Sequence, residues 1–190
     1  MRAIALTLAL LAATPLAGCG EKAAQDAAGA VIKIGGPFQL TDMNGKPVTE
    51  KSLLGKPTAV FFGFTYCPEV CPTTLTEMTA WLKALGKDAD KLNVVLITVD
   101  PERDTPAQLK EYLSNFDPRI QGFTGTPDAI AKTARAYRVY HQKVPLDGGG
   151  YTIDHSSAIY LFDAKGRFVS PIAYQAPQDR ALTQLRELVN

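Results

Sequence analysis

The sequence predicts an α/β fold, and three observations carry that expectation. Two short, nearly continuous apolar runs, TAVFFGF from Thr58 to Phe64 and NVVLITV from Asn93 to Val99, read as strands buried on both faces. Between them, PTTLTEMTAWLKAL from Pro72 to Leu85 places Leu75, Met78, Leu82 and Leu85 at helical spacing, so the two strands are expected to be parallel neighbours. Later, SSAIYLFD and RFVSPIAY flank Ala164-Lys165-Gly166 as an antiparallel hairpin, and QDRALTQLRELV closes the chain as an amphipathic helix. Parallel strands first, a hairpin later and helices between them fit a thioredoxin-like α/β sandwich. A flavodoxin-like doubly wound sheet fits less well, because it does not predict the final hairpin and the chain has no phosphate loop.

The remaining elements follow in chain order. PFQLTDMNGKPV, from Pro37 to Val48, alternates around Asn44-Gly45, a dipeptide suited to a type I′ turn, and predicts an N-terminal β-hairpin extension. Proline at the first helical position marks the helix starts at Thr105-Pro106, with Gln108 completing a capping-box pattern, and at Thr126-Pro127. Cys71-Pro72 and Ala176-Pro177 repeat the device. Met78, Trp81 and Tyr160 fall at helix or strand periodicity and read as core.

With 190 residues, 46% hydrophobic and 21% charged, the chain is of ordinary globular composition and long enough for one domain after its N-terminus. Arg2 precedes IALTLALLAATPL, which is shorter than the ~20 apolar residues of a membrane-spanning helix and fits the apolar region of a signal peptide over residues 1–18. LAGC, ending at Cys19, resembles the lipobox of bacterial lipoproteins, with Cys19 as the lipidated residue; a plain signal peptide with an incidental cysteine is the competing reading. EKAAQDAAGA then reads as a tether within residues 19–34, leaving 35–190 as the folded domain. Processing at Cys19 removes Arg2 and no acidic residue, so 20 Lys+Arg against 19 Asp+Glu become 19 against 19. A neutral body argues against nucleic acid as a partner, since that binding rests on clustered positive charge. Of the three cysteines, Cys67 and Cys71 remain as a pair, outside the cytosol, where a disulfide can persist.

That pair ends the first apolar run, in TYCPEVCP from Thr65 to Pro72. Each cysteine precedes a proline, which pushes it toward extended geometry, so the two sulfurs sit in a constrained loop between strand and helix. Cys71 is expected in the N-cap region, where the helix dipole favours a thiolate. The Cys-x3-Cys spacing permits a disulfide and equally permits two thiolates on one metal. Of the two histidines, His155 in YTIDHSSAIYLFD lies just before an apolar strand whose start faces the cysteine loop. His141 in RVYHQKV reads as a strand-surface residue. For His155 alone, a satisfied loop histidine is the simpler reading. DPERDTP, from Asp100 to Pro106, has two readings: Pro101 ends a strand and Thr105 starts a helix, or Asp100 lies near a metal as an acceptor for its ligands or a weak ligand. Asp154 is a weaker candidate for the same role.

Taken in order, FFGFTYCPEVCPTTL, ITVDPERDTP and the DHS of TIDHSSAIYLFD resemble the Sco/SenC family of copper-binding proteins that assist assembly of cytochrome c oxidase. The resemblance runs from about Gly35 to Val189, with Glu69 where the family often has aspartate. It implies a thioredoxin fold in which Cys67, Cys71 and His155 bind copper. Two thiolates and an imidazole are a soft set suited to Cu(I) and able to accept Cu(II), whereas structural zinc takes four protein ligands. Because the thiols must be reduced and deprotonated to bind, a Cys67–Cys71 disulfide competes with the metal. The implied function is an extracytoplasmic metallochaperone, a membrane-anchored monomer whose partners are copper or electron donors and the oxidase subunit whose CuA site it serves. The alternative is a thiol-disulfide oxidoreductase that reduces the acceptor's cysteines through the Cys67, Cys71 pair. A peroxiredoxin-like peroxidase fits less well, because its usual cysteine layout is missing.

Overall fold

The computed structural model describes residues 33–190; the signal-peptide segment and Cys19 lie outside the described residues. In chain order the elements are β1 (Gln39–Asp42), β2 (Pro47–Thr49), β3 (Thr58–Gly63), α1 (Val70–Leu85), β4 (Asn93–Thr98), α2 (Pro106–Leu113), β5 (Ile120–Thr124), α3 (Pro127–Ala136), β6 (His141–Pro145), β7 (Tyr151–His155), β8 (Ile159–Phe162), β9 (Phe168–Ile172) and α4 (Gln178–Val189). Short 3-10 turns cover Glu50–Leu53 and Gly86–Lys91.

Seven strands form one sheet in the order β2-β1-β5-β4-β3-β8-β9, and β6 and β7 form a separate two-stranded hairpin. β3 and β4 pair in parallel from Thr58 opposite Asn93 to Gly63 opposite Thr98, and β5 continues the parallel set. β8 and β9 join antiparallel beside β3. This is the thioredoxin-like sandwich, with the N-terminal hairpin β1–β2 added antiparallel beyond β5. β3 has no solvent-exposed position, as a strand covered on both faces should not.

The two faces are covered by different helices. Ala59 of β3 shares an interior gap with Met78 and Trp81 of α1, Ile159 of β8 and Leu185 of α4. A Cβ on Gly122 would lie 2.8 Å from Leu113 and 3.2 Å from Leu109, so the glycine lets α2 press directly on β5. On the opposite face Phe62 and Phe162 pack against Tyr137 at the end of α3, with ring centroids 5.5 and 5.4 Å apart. Met78, Trp81 and Tyr160 are all buried core residues.

Three local expectations change. The β1–β2 turn is not type I′, which needs positive φ at both central residues; only Gly45 has it, at 81°. Asp42 decides the geometry, its Oδ1 accepting the N–H groups of Asn44 and Lys46 at 2.8 Å each. Asp163 does the same in the β8–β9 turn for Lys165 and Arg167, with Gly166 at φ 73°. DMNGK and DAKGR are thus one device, an Asp that orders the turn and a Gly that closes it. Pro72 and Pro177 also miss the first helical position: α1 already starts at Val70, and Pro177 is the N-cap of α4. A proline in the first turn is tolerated because its missing N–H has no intrahelical partner there.

The Thr-Pro starts do hold. Thr105 accepts the N–H of Gln108 and Thr126 that of Ala129, both at 3.2 Å. Thr105→Ala and Thr126→Ala are each expected to cost about 1 kcal/mol, additively because the two caps share no partner. Urea denaturation of both single variants and the double variant measures it.

Candidate metal centre

The site is built where β3 ends. Gly63 is its last residue, and a Cβ there would lie 2.8 Å from the Cys71 sulfur, 3.0 Å from Phe61 and 3.3 Å from Leu96. The thiol therefore occupies the space of a missing side chain, and Cys71 has no solvent exposure. The chain then turns, with the Cys67 N–H bonded to the Phe64 carbonyl at 3.3 Å, and enters α1 at Val70 with Glu69 as N-cap.

This start inverts the expected roles of the two thiols. Cys71 is inside the first turn rather than at the N-cap, and its N–H donates to the Cys67 sulfur at 3.4 Å. Cys67 is thus the sulfur that receives the free N–H at the positive end of the helix. The Cys71 thiol holds Cys67 down to about 4, with His155 and the N–H groups of Cys71 and Glu69 acting in the same direction against the opposing effect of burial. Cys71 is pushed far above the ordinary thiol range, first by its bond to Cys67 and then by burial. Exposure and the Cys71 N–H both favour negative charge on Cys67 over the buried Cys71; both cysteines are free.

His155 closes the group. It is the last residue of β7, and its Nε2 stands 3.5 Å from the Cys71 sulfur. Its Nδ1 is 2.9 Å from the Ser156 carbonyl oxygen. A carbonyl only accepts, so Nδ1 carries the proton and the Nε2 lone pair faces the sulfurs. Phe61 and Phe64 hold the ring edge-on, at centroid distances of 6.1 and 5.7 Å. The two sulfurs and the imidazole nitrogen all lie within 4.8 Å of one another, and among the described residues no other group of His, Cys, Asp and Glu side chains converges this way.

That spacing fits one ion. With bonds of ~2.3 Å to sulfur and ~2.0 Å to nitrogen, three donors around a metal stand roughly 4 Å apart. The donor types are soft, and hard oxygen ligands are missing from the group.

The other sequence candidates lie elsewhere. Asp100 is fully buried, but its carboxylate is ion-paired with Arg103 and accepts the Tyr151 hydroxyl at 2.8 Å, touching neither sulfur nor imidazole. Asp154 is exposed, on the face of β7 opposite His155. His141 is half-buried on β6, in register with His155 but outside the converging group. Sequence reasoning missed Asp104. Its buried carboxylate accepts the Thr65 N–H at 3.1 Å, the Thr65 hydroxyl at 2.6 Å and the Thr98 hydroxyl at 2.6 Å. Burial pushes its pKa up despite those bonds. It ties the first residue of the cysteine loop to the end of β4, and the only signal in the sequence was a second aspartate in DPERDTP.

The family model described as SCO1/SenC matches residues 26–190. Protein SCO2, mitochondrial, of Saccharomyces cerevisiae is 42% identical over 162 residues, which cover 83% of this chain and 54% of that one. The chain spans about half the length of the yeast relatives SCO2 and SCO1, 54% of each. Among solved structures, Bradyrhizobium japonicum ScoI with copper bound is 57% identical, with a TM-score of 0.77 over 82% of this chain and 99% of that one. Yeast Sco1 with copper bound is 42% identical, with a TM-score of 0.77 over 83% and 88% of the two chains. With a family model covering most of its length and relatives at this identity, the chain belongs to the SCO1/SenC family.

Proposed function

We propose that this protein is an extracytoplasmic copper metallochaperone that holds one copper ion on Cys67, Cys71 and His155 and delivers it to the CuA site of cytochrome c oxidase. The observation that carries the reading is the convergence of two sulfurs and one imidazole nitrogen within 4.8 Å. The copper-bound relatives from Bradyrhizobium japonicum and yeast support copper as the cargo. A three-ligand site suits delivery, since an open coordination position lets an acceptor ligand enter before a donor ligand leaves. The Cys67 thiolate and the buried Cys71 make the site ready for a soft cation with only one further proton to displace. A Cys67–Cys71 disulfide would compete with the cargo, because neither sulfur could then serve as a thiolate ligand. The reading includes an anchor on lipidated Cys19, after removal of residues 1–18, and action as a monomer. Among the described residues no helix is long and apolar enough to cross a membrane.

A second reading, a thiol-disulfide oxidoreductase that prepares the acceptor's cysteines, is favoured by one observation. The half-exposed Cys67 is the stabilised thiolate and the buried Cys71 the protonated partner, the division of labour of an attacking and a resolving thiol.

Titration of the reduced protein with Cu(I) is expected to show one equivalent bound, and His155→Ala to weaken binding about tenfold or more. Unchanged affinity in that variant together with fast reduction of a model disulfide would replace the chaperone reading with the oxidoreductase one. The thiol assignment has its own check, alkylation at about pH 6, where an ordinary thiol of pKa ~8.5 is scarcely ionised. Cys67, lowered to about 4, is expected to be labelled there and to lose reactivity only as the pH falls toward that value, while Cys71 stays unlabelled. Peptide mapping by mass spectrometry distinguishes the two.

A further inference from the structure

The imidazole comes from outside the main sheet. β6 and β7 pair only with each other, and a two-stranded hairpin is marginal on its own, so contacts with the body must set where His155 stands. Along β7, Tyr151, Ile153 and His155 share one face. Ile153 is buried in the core, His155 meets the thiols at one end, and Tyr151 meets Arg103 at the other.

Arg103 is bound to that hairpin in two ways. Its Nη1 donates to the Tyr151 carbonyl at 3.0 Å, and its guanidinium carbon lies 3.9 Å from the Tyr151 ring centroid. The same guanidinium lies 4.7 Å from the ring of Tyr66, next to Cys67, and 5.8 Å from Phe64, whose ring abuts His155. Its Nη2 is buried and, among the described residues, has no hydrogen-bond partner, so aromatic faces are its main surroundings. Asp100 fixes the arrangement from below by pairing with Arg103 and accepting the Tyr151 hydroxyl at 2.8 Å. A weaker, solvent-exposed tie runs parallel to it, Lys143 of β6 to Glu102 at 2.6 Å.

We propose that Arg103, held by Asp100, is a positioning residue that fastens the cysteine loop through Tyr66 and the β6–β7 hairpin through Tyr151, and so sets the His155 imidazole against Cys67 and Cys71. Its relevance to copper rests on the metallochaperone reading; the clamp itself does not. Arg103 touches no ligand atom and acts on the site only through the two segments that carry the ligands.

The test uses the full chain with Arg103→Met, Arg103→Lys and Tyr151→Phe. In the apo protein, amide hydrogen exchange over residues 151–155 is expected to accelerate about tenfold or more in Arg103→Met, with β3 and β4 amides unchanged. With one equivalent of Cu(II), the nitrogen hyperfine coupling of the imidazole is expected to weaken in Arg103→Met toward the signal of His155→Ala, and Cu(I) affinity to fall about tenfold. Lysine keeps the charge but not the planar fork and is expected not to restore the coupling. Wild-type exchange and wild-type nitrogen coupling in Arg103→Met overturn the proposal. If Arg103→Met does not fold, Arg103→Lys, which loses the fork that reaches the Tyr151 carbonyl, decides: faster hairpin exchange supports the clamp and an unchanged rate overturns it, while Tyr151→Phe, which removes only the bond to Asp100, is expected to speed exchange less. Copper affinity untouched by His155→Ala would remove the copper reading, and the apo exchange result would still decide the clamp.

Discussion

The site depends on a missing side chain. Cys71 can be buried at the end of the central strand because Gly63 leaves the volume its sulfur fills, with Phe61 and Leu96 closing the sides. A buried thiol that cannot reach water is costly to ionise, and this cost decides the rest of the local chemistry. The negative charge settles on Cys67, the outer sulfur, which has the first-turn N–H of Cys71 to receive it. The imidazole then faces one partly exposed and one buried sulfur.

Asp104 extends the same logic into the scaffold. A carboxylate without solvent exposure normally pairs with a cation; this one is satisfied by two hydroxyls and an N–H instead. Those three donors belong to Thr65, at the start of the cysteine loop, and Thr98, at the end of the neighbouring strand. The loop is therefore anchored to the most deeply buried part of the sheet a few residues before its first sulfur. Asp100, four positions earlier, is equally buried but spends its charge on Arg103.

What the sequence made legible follows from how strongly each signal is tied to burial. β3, β4, α1 and the β8–β9 hairpin announce themselves because continuous apolar runs, helical spacing and turn residues leave few alternatives. The three residues that the structure brings together were less legible one by one, since Cys-x3-Cys permits several roles and a single histidine reads first as a satisfied loop residue; it was the resemblance to the Sco/SenC motifs, taken in order, that implied the group. The β6–β7 hairpin was not foreseen as a unit: HQKVP has no fully buried position and YTIDH has one, so neither carries a clear alternation. Which sulfur receives the helix N–H changed because the helix starts at Val70 rather than Pro72, a shift of two residues that moves Cys71 from the cap into the first turn. In DPERDTP the two aspartates are chemically identical in sequence. Only the positions of Thr65, Thr98 and Arg103 in three dimensions separate an anchor of the loop from a holder of the arginine.

The resulting site has two halves of different mechanical character. Both sulfurs come from one short segment, pinned by Gly63, Asp104 and the first turn of α1. The nitrogen comes from a small hairpin that belongs to no larger sheet and whose tip, Leu146 to Gly150, ends in three glycines at φ 95°, 101° and 80° with nothing packed against them. Under the proposed metallochaperone reading, that asymmetry would suit a site that must also give up its ion. Of the sulfurs, Cys71 is buried at the end of the central strand and Cys67 stands partly exposed in the loop before α1. With the imidazole on a separately held arm, displacement of that one side chain would leave the central sheet undisturbed.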